Sequence, residues 1–336
     1  MRRLPVRLSV AASALAIFAC LLACSRTDQK PAGLPEKVTV AMSATTDGVL
    51  AHVAQAKGFF RQEGVETVPR LFPYGKRALQ EVLEGRADFA TVAETPVMFA
   101  IMKGAKISII ATIQSSRKGN VLVARRDRGI LTLHDLKGKR VGVTRGTTTD
   151  YFLDSVLAVN GIGHDEIRAV DLKAEEIIPA LANGDVDAAS TFNTYAYPAQ
   201  RRLGGRAITF HDENVYTITF NIVATQEFVR NNPEAVKKLL RGLIRAEEFV
   251  KENPAETQRV AAEFSGVDAA ALRDIWNETF FHVTLDQALV VALEDESAWA
   301  IKGGLTGGRT DVPNYLDFIY VGGLMSVKPK AVRILR

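Results

Sequence analysis

After position 24 the sequence contains no cysteine; Cys20 and Cys24 are the only two in 336 residues. The body of the chain therefore has no disulfide, and zinc, iron–sulfur or nucleophilic schemes that need a thiol are excluded there. Histidine is scarce too: His52, His134, His164, His211 and His282 are the full set, and none stands in an H-E-x-x-H pair. No G-x-S-x-G elbow, Walker loop or dinucleotide fingerprint occurs, and Gly142 to Gly146 is too short for a phosphate-binding loop. Only one stretch lacks charge for long enough to concern a membrane, which excludes a multi-span protein. Neither sign of charge dominates: 42 Lys and Arg face 38 Asp and Glu, with 47% apolar residues. That is ordinary globular usage and argues against disorder or collagen-like repetition. The length suggests two domains, each with material for its own core.

The small positive excess sits at the N-terminus. Arg2, Arg3 and Arg7 precede an apolar run from Leu8 to Leu22, the layout of an export signal and too short for a spanning helix of about 20 residues. The run ends in Leu21-Leu22-Ala23-Cys24, which resembles the lipobox of bacterial lipoproteins. That resemblance implies a signal at 1–23, cleavage before Cys24 and a lipid on its sulfur; the alternative is an uncleaved signal anchor. Without residues 1–23 the balance is 39 cations against 38 anions, so no nucleic-acid partner is expected. Residues 24–36 are polar, contain Pro31, Gly33 and Pro35, and read as a tether.

The body contains a repeat. Val38-Thr39-Val40 leads through Ser43 to Asp47 into a helical pattern ending at Gly58; Val141-Gly142-Val143 leads through Gly146 to Asp150 into one ending at Gly161. The offset is 103 throughout. Each unit is a strand, a Thr/Asp-rich turn and a helix closed by glycine. Phe152, Val156 and Val159, with Leu153 and Leu157, form one apolar helical face. A second match follows at offset 99, where Gly85-Arg86-Ala87-Asp88 corresponds to Gly184-Asp185-Val186-Asp187. Two matches in the same order predict two α/β lobes of similar topology. Ile107 to Ala124 and Val215 to Ala224 are long β-rich runs suited to crossings between the lobes. This puts lobe one at 37–116 and 221–336 and lobe two at 117–220. From Thr225 onward the pattern reads as helical and is expected to pack on lobe one.

Several segments carry a family resemblance. They are Ala56-Lys57-Gly58-Phe59-Phe60-Arg61-Gln62-Glu63-Gly64-Val65, Glu84-Gly85-Arg86-Ala87-Asp88-Phe89-Ala90 and Leu136-Lys137-Gly138-Lys139-Arg140-Val141-Gly142-Val143. The mature chain resembles the solute-binding proteins of ABC importers, in the group serving nitrate, taurine, alkanesulfonates and thiamine-precursor pyrimidines. The resemblance implies a periplasmic-binding-protein-like α/β fold with two Rossmann-like lobes joined by two extended crossings. It implies a monomer that closes on a small solute and delivers it to a membrane permease, outside the cytoplasmic membrane and held there by the lipid on Cys24. No cofactor or metal is expected. A related fold hosts a pyrimidine-synthesising enzyme that uses a cysteine cluster, which this body lacks. A bilobal binder can also report to a membrane receptor, and the residues leave transport and sensing open.

In open α/β sheets ligands bind beyond the carboxyl ends of strands, where helix starts offer unpaired N–H groups and a positive dipole end. Those positions are Ser43, Thr45, Thr46 and Asp47 in lobe one, and Gly146, Thr147, Thr148 and Thr149 in lobe two. Other strand ends add Glu94, Thr95, Ser115, Ser116, Phe192 and Asn193, and the second crossing adds Tyr216. Asp47 and Asp150 are equally readable as helix caps. Asn193 stands where many relatives of the resembled group carry an acid, which removes support for a cationic ligand there. The threonines and helix starts favour a sulfonate, carboxylate or nitrate-like anion; Phe192, Tyr195 and Tyr216 leave a flat pyrimidine open.

Overall fold

The computed structural model describes residues 36–212, 214–268, 272–273, 276 and 279–335; the expected signal, tether and Cys24 lie outside them. Strand β1 (Glu36–Ser43) leads through helix α1 (Val49–Ala56) to β2 (Val65–Phe72). Helix α2 (Gly75–Leu83) then leads to β3 (Phe89–Ala93), and α3 (Glu94–Met102) to β4 (Ile107–Ser116). After three residues the chain enters a second sheet through β5 (Asn120–Arg125), β6 (Arg140–Val143), α4 (Thr148–Val159) and β7 (Arg168–Asp171). This part closes with α5 (Ile177–Asn183), β8 (Ala188–Phe192), α6 (Asn193–Leu203) and β9 (Ala207–Phe210). The return passes into β10 (Ile218–Thr225), α7 (Pro233–Glu252), α8 (Pro254–Ser265), β11 (Thr279–Asp286), α9 (Gln287–Lys302) and β12 (Val332–Arg333).

The first sheet has the order β12-β11-β4-β10-β3-β1-β2 and the second β7-β6-β8-β5-β9. Within them the runs β2-β1-β3-β10 and β7-β6-β8-β5 share one pattern: three parallel strands, then an antiparallel one that links the sheets. β1 and β6 are the strands matched at offset 103. Gly58 and Gly161 end the following helical turns at φ 67° and 65°, a left-handed conformation that glycine adopts without a Cβ penalty. The second match is mechanical. Asp88 Oδ2 accepts from Thr39 N at 2.7 Å, and Asp187 Oδ2 from Arg140 N at 3.0 Å. Each aspartate thus ties its corner to the start of the neighbouring parallel strand.

The long helix α7 lays Val236, Leu239, Leu240 and Leu243 into the first sheet's core. Its Gly242 admits Phe60, where an added Cβ would meet the ring at 2.6 Å. The helical reading of the tail needs two corrections: Val332–Arg333 is a short strand, and it pairs with a longer one, Thr279–Asp286, that runs antiparallel to β4. Its Val283 and Leu285 point into the core while their neighbours stay partly exposed, a period of two that β-branched and aromatic residues suit. No described helix is long and apolar enough to cross a membrane.

Candidate functional site

The parallel strands of both sheets end towards each other, and the loops beyond them meet. In the first sheet, Ser43 closes β1. Its N–H donates to Thr91 Oγ1 at 2.8 Å, its hydroxyl lies 2.9 Å from that of Thr45, and His52 Nε2 donates to its carbonyl at 2.8 Å. Burial holds His52 down at about 4, so it is a neutral donor that fixes the turn from beneath. The chain then presents Asp47, buried, with Gln114 Nε2 donating to it at 3.2 Å. Burial pushes Asp47 up to about 6, only partly offset by the Thr45 hydroxyl and its own backbone N–H.

In the second sheet the turn after β6 uses its threonines unequally. Thr147 donates to Thr144 O at 2.7 Å and lies 2.9 Å from the Thr149 hydroxyl. Thr148 donates to Asn120 Oδ1 at 3.2 Å. Asp150 is occupied within its own turn: Gly146 N and Arg145 Nη1 each donate to it at 2.8 Å. Burial raises its pKa, against the pull of those two partners. Arg145 is therefore a structural partner.

The narrow space between the sheets is lined by Thr45, Asp47, Thr147, Thr148 and Phe192, together with Tyr74, Gly75, Lys76 and the apolar Ala93, Pro96, Ile218 and Phe220. It is small for a ligand site. Tyr74, Gly75 and Lys76 come from the strand-to-helix turn after β2. The strand-end rule that selected the other loops would have found them, had Pro73-Tyr74-Gly75 been read as a turn. Gly75 is required there, because a Cβ would lie 2.9 Å from Val92 Cα. Lys76 reaches across and donates to Arg145 O at 2.6 Å. Burial lowers its pKa, with Asp171 pulling the other way. Further bridges join the lobes: Thr46 N donates to Thr194 Oγ1 at 3.2 Å, and Tyr195 donates to Pro73 O at 3.2 Å. Tyr74 and Phe192, one from each lobe, stack with centroids 6.1 Å apart.

The remaining sequence candidates fall outside this lining. Ser116 accepts from Lys118 N, and Asn193 donates to Lys118 O, so both shape the first crossing. Ser115 borders a separate space beside Tyr216 and β11. Glu94, Thr95 and Tyr216 form a buried cluster with Glu296. Two buried amides that touch cavity residues keep an atom without a partner: Asn120 Nδ2, next to Thr148, and Gln114 Oε1, next to Asp47. Buried polar atoms left this way are uncommon.

Two α/β lobes, two crossings and a space between opposed strand ends define a protein of the periplasmic-binding-protein fold. The chain belongs to the NMT1/THI5-like family, whose model matches residues 45–257. It is 27% identical over 215 residues to the taurine-binding periplasmic protein of Escherichia coli, covering 62% of this chain and 65% of that one. To the riboflavin-binding protein RibY of Chloroflexus aurantiacus it is 25% identical over 266 residues, 71% and 73% of the two chains. The alkanesulfonate-binding protein SsuA of Xanthomonas axonopodis pv. citri, solved with MOPS, superposes with a TM-score of 0.73 at 18% identity. That match covers 90% of this chain and 99% of that one, and it shows the shared fold. These are binding proteins, not enzymes.

Proposed function

We propose that this protein is the extracytoplasmic solute-binding component of an ABC importer, closing its lobes on a small solute that carries both an acidic head and an N–H donor. The observation that carries the reading is the pairing of unlike groups across one small cavity. On the second-lobe side stands the N-terminus of α4, which favours an anion; the Thr147 and Thr148 hydroxyls join it by turning away from Thr144 O and Asn120 Oδ1, to which they donate in the structure. On the first-lobe side stands Asp47, buried and without a cation in its turn, a place for a donor. The solute is delivered to a membrane permease. The protein works as a monomer held at the membrane by lipid on Cys24, a placement supported by the sequence around that cysteine. A relative named for taurine, an aminosulfonate, supports the choice of class.

The Tyr74–Phe192 stack favours a second reading, a flat heteroaromatic solute. Their separation of 6.1 Å works against a ring between them, since two ring contacts of roughly 3.5 Å need about 7 Å. A ring would have to lie on one face of the pair.

Titration calorimetry with taurine, ethanesulfonate and an aminopyrimidine separates these readings. Taurine is expected to bind at least tenfold more tightly than ethanesulfonate, the equivalent of about 1.4 kcal/mol, and Asp47→Asn should remove that preference. Thr148→Glu should weaken taurine binding by about 100-fold or more, because it puts a buried like charge against the sulfonate. Thr148 is itself buried, so the same charge also lowers the melting temperature, and affinity is compared per folded molecule. Tight binding of the aminopyrimidine alone would overturn the aminosulfonate reading.

A further inference from the structure

Glu94 begins α3 immediately after β3, and Glu296 lies inside α9; both are fully buried. Their partners are hydroxyls and one amide. Thr219 donates to Glu94 Oε2 from its backbone N–H at 2.8 Å and from its hydroxyl at 2.9 Å. Tyr216 Oη contacts Glu94 Oε1 and lies 2.9 Å from Glu296 Oε1, and Thr95 Oγ1 lies 3.0 Å from the same Glu296 oxygen. Glu296 Oε2 has no partner.

Counting hydrogens decides the protonation. Four oxygen–oxygen contacts link Glu94 Oε1, Tyr216 Oη, Glu296 Oε1 and Thr95 Oγ1, and three of them fall on a carboxyl oxygen, yet the two hydroxyls supply one hydrogen each. The third hydrogen must come from a carboxyl. Two bare carboxylates on one phenol, deep in a core, would also repel without a counter-charge. The charges facing the pair supply none. Asp295 and Glu294 of α9 are acidic, Tyr151 of α4 and Tyr315 are neutral, and Arg309 is engaged with Asp311. From β11, His282 and Asp286 border the space that Tyr216 and Asp295 also line, and burial lowers the His282 pKa, keeping that ring neutral. Burial pushes Glu94 up to about 8; burial and the neighbouring Glu94 raise Glu296 well above the usual carboxylate range.

The cluster sits where the lobes join. Tyr216 belongs to the return crossing, just before β10. The Tyr151 ring from α4 packs edge-on against Tyr216, centroids 4.9 Å apart, and against Trp299 at 5.2 Å. Trp299, one turn beyond Glu296 on α9, donates to Asp154 of α4 at 2.9 Å. We propose that Glu94 and Glu296 share one proton that fixes Tyr216, and through it the Tyr151–Trp299 contact between the lobes, so that Glu296 is a positioning residue for lobe closure and the closed form depends on that proton. The proposal rests on the closing motion of the proposed function but not on the identity of the solute.

The test needs no solute. Glu296→Gln replaces the protonated acid with an amide that carries hydrogens at every pH. Between pH 6 and 9 the wild-type melting temperature should fall by roughly 2–4 °C more than that of the Gln variant, the size of shift that a modest stability change produces in a chain of a few hundred residues. The two should melt alike at pH 6. Emission from Trp299, read in a Trp276→Phe background, should move to the red with rising pH in wild type and stay fixed in Glu296→Gln. Should Glu296→Gln not fold, Glu94→Gln offers the same hydrogen from the other side. Infrared spectra of wild type should then show the carbonyl stretch of a protonated buried carboxyl at neutral pH, lost in Glu94→Gln. Parallel pH profiles in wild type and variant, or no such band, would overturn the shared proton. Because no solute is present, a failure of taurine to bind leaves this result unaffected.

Discussion

Asp47 and Asp150 stand at the same step of the repeat, four residues beyond Ser43 and Gly146 respectively, yet they meet different surroundings. Asp150 is filled from its own turn, by the Gly146 N–H and the Arg145 guanidinium, both at 2.8 Å. Asp47 has only neutral partners, the Gln114 amide at 3.2 Å, the Thr45 hydroxyl and its own backbone N–H, and it lines the cavity. Two positions make the difference. At the offset of 103, Arg145 corresponds to Met42, which carries no charge, and the Gly146 N–H corresponds to that of Ser43, which donates to Thr91 instead; no cation in its own turn neutralises Asp47. One topology therefore supplies a structural acid and a cavity-lining acid from equivalent positions.

The largest test of this contrast is a pair of alanine substitutions. Asp150→Ala removes an acceptor from a buried N–H and a partner from Arg145, and should destabilise the protein by about 1–3 kcal/mol, with affinity per folded molecule near wild type. Asp47→Ala removes a buried carboxyl that lacks a cation, and should leave stability within about 1 kcal/mol of wild type. Its cost should fall on taurine binding, by roughly 10–100-fold, as for a charge-assisted hydrogen bond of about 1.5–3 kcal/mol. Denaturant melts beside calorimetry measure both quantities. Equal stability losses in the two variants would break the comparison.

A smaller effect separates them by pH. Asp47 titrates at about 6 in the folded chain against 3.8 for the free side chain, so the folded state holds the proton more tightly. Its contribution to stability is present below about pH 4 and is lost as pH rises through 6. Binding runs the other way, because a solute N–H donor prefers the carboxylate. Affinity should rise with pH and level off above 6, with about tenfold weaker binding at pH 5 than at pH 7. In Asp47→Asn that slope should vanish; a slope that survives would assign it to another group.

The sequence made the repeat visible because strands, turns and glycine corners are local patterns. Asp88 and Asp187 were legible as equivalent corners once the two matches were aligned; that they accept from the N–H groups of Thr39 and Arg140 is seen only in the fold. The loops after β1 and β6 were legible for the same reason, since ligand positions in α/β sheets follow strand ends. Three things were not legible. Asp47 and Asp150 look alike as letters, and only the fold shows that Arg145 covers one of them. Glu296 lies more than 200 residues after Glu94, and nothing in either segment marks the meeting. Tyr216 sits at the crossing, as read, but its hydroxyl turns to the two glutamates while Phe192 meets Tyr74 from the turn after β2.

The smallest contrast lies at the two corners, where the lobe-two acid is again the one paired with an arginine. Asp187 accepts from Arg140 N and also pairs with the Arg140 guanidinium at 2.8 Å, whereas Asp88 accepts from Thr39 N at 2.7 Å. Burial acts to raise the Asp187 pKa, but the Arg140 side chain and amide outweigh it and hold the group below the ordinary carboxylate value. Arg140 is 39% exposed in its side chain, so solvent screens the pair and its worth is under about 1 kcal/mol. Asp88→Asn and Asp187→Asn should each keep an acceptor for the strand N–H and lose about 0.5–1 kcal/mol. Asp187→Asn should be the costlier by a few tenths at pH 7. A folded pKa below the unfolded one means that this excess is present above the ordinary carboxylate range and disappears as pH falls through the folded value. The two variants should therefore converge in urea melts at low pH and separate at neutral pH. A difference that persists unchanged under acid would locate the distinction in packing at the corner and not in the Arg140 charge.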